Sequence, residues 1–325
     1  MKTVLILRPN STQKANGIDS YCFALEKMFE NDSDIRILPV KNYPSKRSKI
    51  LHGVYNYSVF YDMIKHCNAD VIHINGYASY QVFQAFKAAS KCNKKIVYTA
   101  HWHPFSMLNH PCRGKLFFNI FLKPYIRRFA NTIITLNNED TAYFNILSKQ
   151  VVKIPHWYSK KVDNEISVKK KYNMILFVGR FNSTNKGLDH ILNLPEKEFD
   201  IHLVGSGFPP SRKDITVHQN ISDEELGLLY KKASVVVVPS KYEAFSYVTL
   251  EALSNGTPVV ISDRVRIADY IKDLNGVYIF PYGDYMQFKD KIKKAIGSKV
   301  DRDTIVDFFD IQRIKGLYKE IYKNC

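Results

Sequence analysis

The sequence predicts an α/β fold of two doubly wound domains, each built on a parallel sheet. Three observations lead there. Short β-branched runs alternate with helical patterns from end to end, the signature of βαβ units with right-handed crossovers. The alternation pauses once, at a polar, Lys-rich stretch from Ser159 to Lys171, and then restarts. The length of 325 residues is that of two ordinary domains.

In the first half, Thr3–Leu7, Ile35–Val40, Asp70–Ile74, Lys95–Thr99 and Thr132–Leu136 read as strands. Several are apolar at consecutive positions, as parallel strands covered on both faces must be. Helical patterns lie between them at Ile18–Glu30, Ser58–Cys67, Ser79–Lys91 and Leu116–Phe129, and a short strand at Val151–Ile154 ends at Pro155. In the second half, strands are expected at Met174–Val178, Asp200–Val204, Asp214–Val217, Val235–Val238, Pro258–Ser262 and Val277–Phe280. Helices are expected at Gly187–Leu194, Asp223–Lys232, Thr249–Ser254 and Ile267–Lys272. From Asp303 to Tyr322, Ile305, Phe308, Phe309, Ile314, Leu317 and Ile321 recur at three- and four-residue spacings, which reads as one amphipathic helix. The boundary between the domains is expected at the linker, after residue 158, and the terminal helix either caps its own domain or crosses back to the first. No sequence repeat links the halves.

Composition narrows the function classes. Hydrophobic residues make up 45% and charged residues 24%, which excludes disorder and coiled coil. No apolar run approaches the ~18 residues a spanning helix needs. The apolar stretch between Lys2 and Arg8 is too short for a signal-peptide core, so a cytoplasmic protein is expected. Five widely spaced cysteines without a CxxC argue against a zinc site or disulfide framework and predict reduced, half-buried thiols. The net charge of +16 is uneven: residues 1–158 hold 21 Lys+Arg and 9 Asp+Glu, a balance of +12, and the remainder carries +4. Such a basic half suits nucleic acid, anionic lipid or a phosphorylated substrate, or is simply a solubilising surface.

Ligands of open α/β sheets bind beyond the carboxyl ends of the strands, so the strand-to-helix junctions carry the chemistry. One junction runs from Gly179-Arg180 to Lys186-Gly187. Two cations at such a turn suit a diphosphate, although the GxxxxGK[ST] order of a P-loop is absent. The alternative is an ordinary polar turn. A second junction, Pro239 to Leu253, follows the buried run Ser234–Val238. It puts Glu243 at a strand end and Glu251 one to two turns into the next helix. A carboxylate accepts two hydroxyl hydrogen bonds at once, which suits a sugar diol, and amides at residues 245–247 suit an anion. Solvated surface charge is the commonest fate of a glutamate, but Leu250, Ala252 and Leu253 around Glu251 weigh against it. A third junction, Gly256–Asp263, closes that helix with Gly and starts a strand with Pro; it is scaffold.

These residues resemble the signature of the retaining family-4 glycosyltransferases. EAFSYVTLEALSNGTPVV, from Glu243 to Val260, has that family's Glu, seven residues, Glu, and its small-Gly-x-Pro-Val continuation. The segment 179–187 resembles the family's diphosphate loop. Gly17-Ile18 resembles its Gly-Gly loop with Asn16 for the first glycine, and Asp70–Asn75 its Asp-Val-Ile-His-x-His strand with Asn75 for the second His. Tyr98–His101 resembles its Thr-x-His strand end, and Ile154–Trp157 stands where Ile-Pro-Asn-Gly is usual. The resemblance implies the GT-B fold: two facing Rossmann-like domains and a terminal helix that crosses back onto the first, so that the domains are 1–158 plus 304–325, and 159–303. It implies transfer of a hexose from a nucleotide sugar, UDP being commonest, with retention at the anomeric carbon; because no DxD ends a strand and Arg180 and Lys186 bracket the diphosphate loop instead, neither metal nor other cofactor is expected. It implies that Arg180 and Lys186 bind the diphosphate, with Gly179 in that loop. Glu251 would hold the ribose, and Glu243 the hydroxyls of the transferred sugar. The amides of Phe245, Ser246 and Tyr247 would complete the donor contacts. Gly17 would let backbone approach the phosphate, and His101 would lie near the reacting centre.

Other features read more plainly. Asp301-Arg302-Asp303 matches a metal-binding DxD, but it precedes the terminal helix instead of ending a strand, so helix capping is expected. His101 and His103 form a weak metal-pair candidate without a nearby carboxylate or Cys. Arg113–Phe129 mixes aromatic and basic residues and reads either as an interfacial helix on anionic lipid or as a core helix with a basic outer face and a break at Pro124. The cluster Lys41–Lys49 adds four cations. The expected partners are a nucleotide sugar, a glycan or lipid-linked acceptor in bacterial surface polysaccharide synthesis, and an anionic membrane at the inner face of the plasma membrane. The competing readings are a nucleotide-sugar epimerase and a non-enzymatic basic module. No nucleic-acid recognition motif supports the latter.

Overall fold

In the computed structural model, residues 1–8, 17–42, 57–76, 79–101, 112–147, 150–158 and 169–325 are described. The chain divides into two compact units: Met1–His156 with Ile311–Cys325, and Trp157–Asp310. The first unit contains β1 (Lys2–Arg8), α1 (Gly17–Met28), β2 (Ile35–Asn42), α2 (Tyr57–Lys65), β3 (Val71–Gly76), α3 (Tyr80–Lys91) and β4 (Lys95–Ala100). It continues with α4 (Cys112–Phe117), a π-helical turn (Phe118–Leu122), α5 (Lys123–Phe129), β5 (Thr132–Thr135), α6 (Asn138–Asn145) and β6 (Val151–Lys153). The second unit contains β7 (Met174–Val178), α7 (Leu188–Leu192), β8 (Asp200–Val204), β9 (Ile215–His218), α8 (Asp223–Lys232) and β10 (Val235–Val238). After these come α9 (Tyr247–Ser254), β11 (Val259–Ser262), α10 (Ala268–Ile271), β12 (Val277–Phe280), α11 (Tyr285–Ala295) and α12 (Arg302–Phe308); α13 (Ile311–Asn324) then completes the first unit.

Each unit holds one six-stranded sheet, in the orders β2-β1-β3-β4-β5-β6 and β12-β11-β10-β7-β8-β9, with every pairing parallel. Burial follows position. Central β3 and β10 are buried at every residue, whereas edge strand β2 alternates towards solvent. Only a sheet covered on both faces can bury a run such as Val235–Val238 whole. In each sheet the strand order reverses once, between β1 and β3 and between β7 and β10. Ligands of such sheets bind beyond the strand ends at the switch point, and the loops that carry Arg180, Lys186 and Glu243 follow β7 and β10 there.

Several elements depart from the sequence reading, each for a physical reason. Arg113–Phe129 is two short α-helices joined by a π turn. Pro124, near the start of α5, has no amide to donate, and the wider turn before it takes up the missing bond. The terminal pattern is two helices. The Phe309 carbonyl accepts the Tyr158 amide at 3.0 Å and is lost to the helix. Phe308 and Phe309 pack on Tyr270 in the second unit. Beyond the break, Tyr318 and Tyr322 are fully buried in the first. There the Tyr318 hydroxyl lies 2.7 Å from that of Tyr21, and the Tyr322 hydroxyl 2.8 Å from His73 Nδ1. Lys315 and Lys319 of α13 pair with Asp32, and Lys323 with Asp34. The sequence reading omitted α6 and α11. The cysteines are unpaired, but Cys22 is buried and Cys112 exposed instead of all being half-buried. Among the described residues no helix is long and apolar enough to cross a membrane.

Candidate active site

The second unit assembles its candidate residues at the β7/β10 switch point. The loop after β7 lies against the segment after β10. A Cβ on Gly187 (φ +69°) would overlap the Pro239 carbonyl, so only glycine permits the approach. Asn185 staples the two segments: its carbonyl accepts the Lys241 amide and its side-chain amide donates to the Tyr242 carbonyl, both at 2.8 Å. This registration brings Lys186 Nζ to 2.8 Å from Glu243 Oε1. The aliphatic stem of Lys186 runs beside Gly179. Arg180, at the loop's other end, is exposed and makes no ion pair among the described residues.

Glu243 is fixed along its backbone as well. Its amide donates to the Arg264 carbonyl at 3.1 Å and its carbonyl accepts the Arg266 amide at 2.9 Å, forming an isolated parallel bridge with Val265. Ser240 Oγ also donates to Glu243 Oε1, at 2.6 Å. Ser246 caps α9, its hydroxyl accepting the Thr249 amide at 3.3 Å. Its backbone sits at φ 138°, a glycine-like conformation that costs a serine ~1–3 kcal/mol and aims the start of the helix. Phe245 is buried against Tyr247, Tyr270 and Phe309, so its ring anchors the turn. Glu251 accepts the Tyr230 hydroxyl, which donates to its Oε2 at 2.9 Å. Burial, followed by the charge of Glu251, pushes the Tyr230 hydroxyl well above its ordinary pKa, so it remains a donor.

In the first unit, Gly17 opens α1 and His101 follows β4 directly. His101 is buried, with Nε2 3.3 Å from Asn75 Oδ1. Its ring meets Tyr21 edge-on at 5.0 Å and stacks on His156 at 6.2 Å. Burial lowers its pKa to about 3, so at neutral pH it is an uncharged hydrogen-bonding group and a weak base. His73 is likewise lowered to about 3 by burial, and its two ring nitrogens meet Thr99 Oγ1 at 2.7 Å and the Tyr322 hydroxyl. The Asp301 carboxylate does not cap α12. It accepts the Asn275 amide at 2.9 Å and its side-chain amide at 3.0 Å, which corrects the capping expectation. Among the described residues no three His, Cys, Asp or Glu side chains converge as metal ligands. His103 and Asn16, and Lys46, Arg47 and Lys49 of the second basic cluster, fall outside the described residues.

Ser240, Asn185 and Tyr230 were absent from the sequence reading. The first had one local signal, a serine three residues before the signature glutamate; the other two meet their partners only through the fold.

Two doubly wound units, each on a six-stranded parallel sheet, are the parts of a GT-B fold. Solved structures agree along their whole length. The Anabaena protein HepE in complex with UDP-glucose superposes with a TM-score of 0.75 at 14% identity, and a sucrose-phosphate synthase from Thermosynechococcus elongatus with 0.71 at 17%, each covering 100% of both chains. Residues 12–144 match the family described as Glycosyltransferase Family 4, and residues 210–306 that described as Glycosyl transferases group 1. The chain belongs to the family-4 glycosyltransferases. An uncharacterised glycosyltransferase of Methanocaldococcus jannaschii is 34% identical over 36% of this chain and 34% of its own length. An uncharacterised 41.2 kDa protein in the cps region of Klebsiella pneumoniae is 26% identical over 66% of each. The O-antigen chain mannosyltransferase of Salmonella typhimurium is 24% identical over 53% of this chain and 57% of its own. This chain thus spans about a third of the first relative and just under two thirds of the second.

Proposed function

We propose that the protein transfers a hexose from a nucleotide sugar, with UDP as carrier, to a glycan or lipid-linked glycan, with retention at the anomeric carbon and without a metal ion. The carrying observation is the Lys186–Glu243 pair at the switch point: a cation suited to a departing diphosphate, one ionic bond from a carboxylate suited to sugar hydroxyls. In this reading Lys186, Arg180 and the amides at Phe245–Tyr247 receive the charge that develops on the diphosphate. Such fixed donors need no reorganisation as the bond breaks. Glu243 accepts hydroxyl hydrogens of the hexose and Glu251 those of the ribose. In the first unit the proposed contributions are Gly17 to the phosphate and His101 to the sugar. The bond from the anomeric carbon to the phosphate oxygen breaks, and one to the acceptor oxygen forms on the same face. The acceptor's proton passes to the departing phosphate.

The reading includes a role in surface polysaccharide synthesis, supported by the Salmonella and Klebsiella relatives. It also includes peripheral contact with the inner face of the plasma membrane. Leu116, Ile120 and Phe121 are 60%, 54% and 48% exposed on the α4–π–α5 segment, and Lys123, Arg127 and Arg128 flank them. Residues 71–138 hold nine Lys+Arg and no Asp or Glu. Apolar side chains set among cations complement an anionic bilayer, each cation contributing ~1 kcal/mol.

A thermal-shift panel of UDP, GDP and ADP and their hexose conjugates tests the donor. A ligand at 100 times its dissociation constant stabilises by ~2.7 kcal/mol. UDP should give the largest shift. A larger GDP shift would favour the mannosyl donor that the Salmonella relative's name suggests, and no shift from any would sink the reading. Nucleotide release that requires an acceptor separates transfer from epimerisation.

A further inference from the structure

Glu243 Oε1 accepts two hydrogen bonds, from Lys186 Nζ at 2.8 Å and Ser240 Oγ at 2.6 Å, while Oε2 accepts none among the described residues. The two donors differ in what holds them. Lys186 carries its ammonium on a flexible stem, with its side chain 24% exposed. Ser240 is 1% exposed, sits just past the end of β10, and its carbonyl accepts the Ser262 hydroxyl from the end of β11 at 2.5 Å. Its hydroxyl is therefore fixed to the sheet through one short side chain. The Glu243 backbone is pinned by its bridge to Val265, so only the side-chain torsions remain to be set.

We propose that Ser240 is the positioning residue for Glu243: its hydroxyl holds the carboxylate at Oε1 when Lys186 turns to the diphosphate, and so keeps Oε2 directed to the transferred hexose. This rests on the donor reading above. The lysine has two anionic partners to serve, whereas the serine has one. A charge-assisted bond to a carboxylate oxygen also fixes the orientation of the other oxygen, because the carboxyl group is planar. Without Ser240, binding the diphosphate would release the carboxylate just when the sugar needs it oriented. Recognition of the nucleotide and recognition of the hexose should then separate in a Ser240 variant.

The test uses the full chain, with UDP and UDP-glucose as probes, or GDP and GDP-mannose should guanosine win the panel. Ser240→Ala should bind the free diphosphate within about twofold of wild type, while kcat for transfer falls about tenfold or more. Ser240→Thr, which restores the hydroxyl, should recover most of the loss. In a cycle with Glu243→Ala, the Ser240→Ala change should cost almost nothing further, because both act through one carboxylate. Equal loss of diphosphate and donor binding in Ser240→Ala would make the serine merely structural and overturn the proposal. So would unchanged turnover, or full additivity with Glu243→Ala. A wild-type protein that binds neither nucleoside diphosphate would overturn the donor reading itself, a result visible before any variant is made.

Discussion

Replacing Lys186 by alanine should harm turnover far more than stability. The ammonium lies 2.8 Å from Glu243 Oε1, with the two side chains 24% and 13% exposed. Ion pairs open to water contribute ~0.2–1 kcal/mol, and Glu243 keeps the Ser240 bond when the lysine is gone. We therefore expect a stability loss of about 1 kcal/mol, or ~2–4 °C in the unfolding temperature of a domain of this size. The catalytic loss should be larger. A departing nucleoside diphosphate gathers negative charge, and removing one preorganised donor from such a site costs ~10²–10³ in turnover, about 3–4 kcal/mol. Arg180 is exposed and unpaired among the described residues, so Arg180→Ala should leave stability within ~0.5 kcal/mol while lowering turnover comparably. The double variant should lose less than the sum, because both cations act on one diphosphate. The assay is product formation at saturating donor, with and without EDTA. Near-native turnover in Lys186→Ala would refute the assignment of the loop. Wild-type activity abolished by EDTA and restored by Mn²⁺ would refute charge neutralisation by fixed cations.

Further outcomes can be checked separately. Gly187→Ala should destabilise the second unit by about 2–4 kcal/mol, from its positive φ and the overlap with the Pro239 carbonyl, and a denaturation midpoint equal to wild type would contradict that geometry. His73 and His101 are each lowered to about 3 by burial, so between about pH 6.5 and 3 the unfolded chain binds protons that the folded unit refuses. Their contribution is complete above pH 6.5 and is lost as pH falls. At pH 5.5 each should cost ~1.4 kcal/mol relative to neutral pH, and denaturant midpoints equal at pH 7 and 5.5 would exclude it. NMR of the first-formed product should show the anomeric configuration of the donor; the inverted anomer would remove the retaining mechanism. In liposome flotation the protein should bind anionic vesicles at low salt and leave them at high salt. Changing Leu116, Ile120 and Phe121 to serine should weaken binding, and equal affinity for neutral vesicles would remove the charge argument.

Much of the fold was determined locally. A run such as Val235–Val238 has no stable alternative to a strand covered on both faces, and Gly256-Thr257-Pro258 can only end a helix and start a strand. The two signature glutamates and the two loop cations were visible too, because each sits at a junction where strand becomes helix. The pairing among them was not visible. Lys186 is 57 residues from Glu243, and their contact depends on β7 and β10 being neighbours across a switch in strand order. Tyr230 and Glu251 meet because α8 and α9 pack together, and no spacing in the sequence encodes that. The terminal pattern misled for a related reason. An apolar stripe records that residues are buried, not which core buries them, and the stripe from Ile305 to Ile321 serves two cores with a break at Phe309. Local chemistry set which residues could act; the order of strands in the sheet decided which of them share a carboxylate.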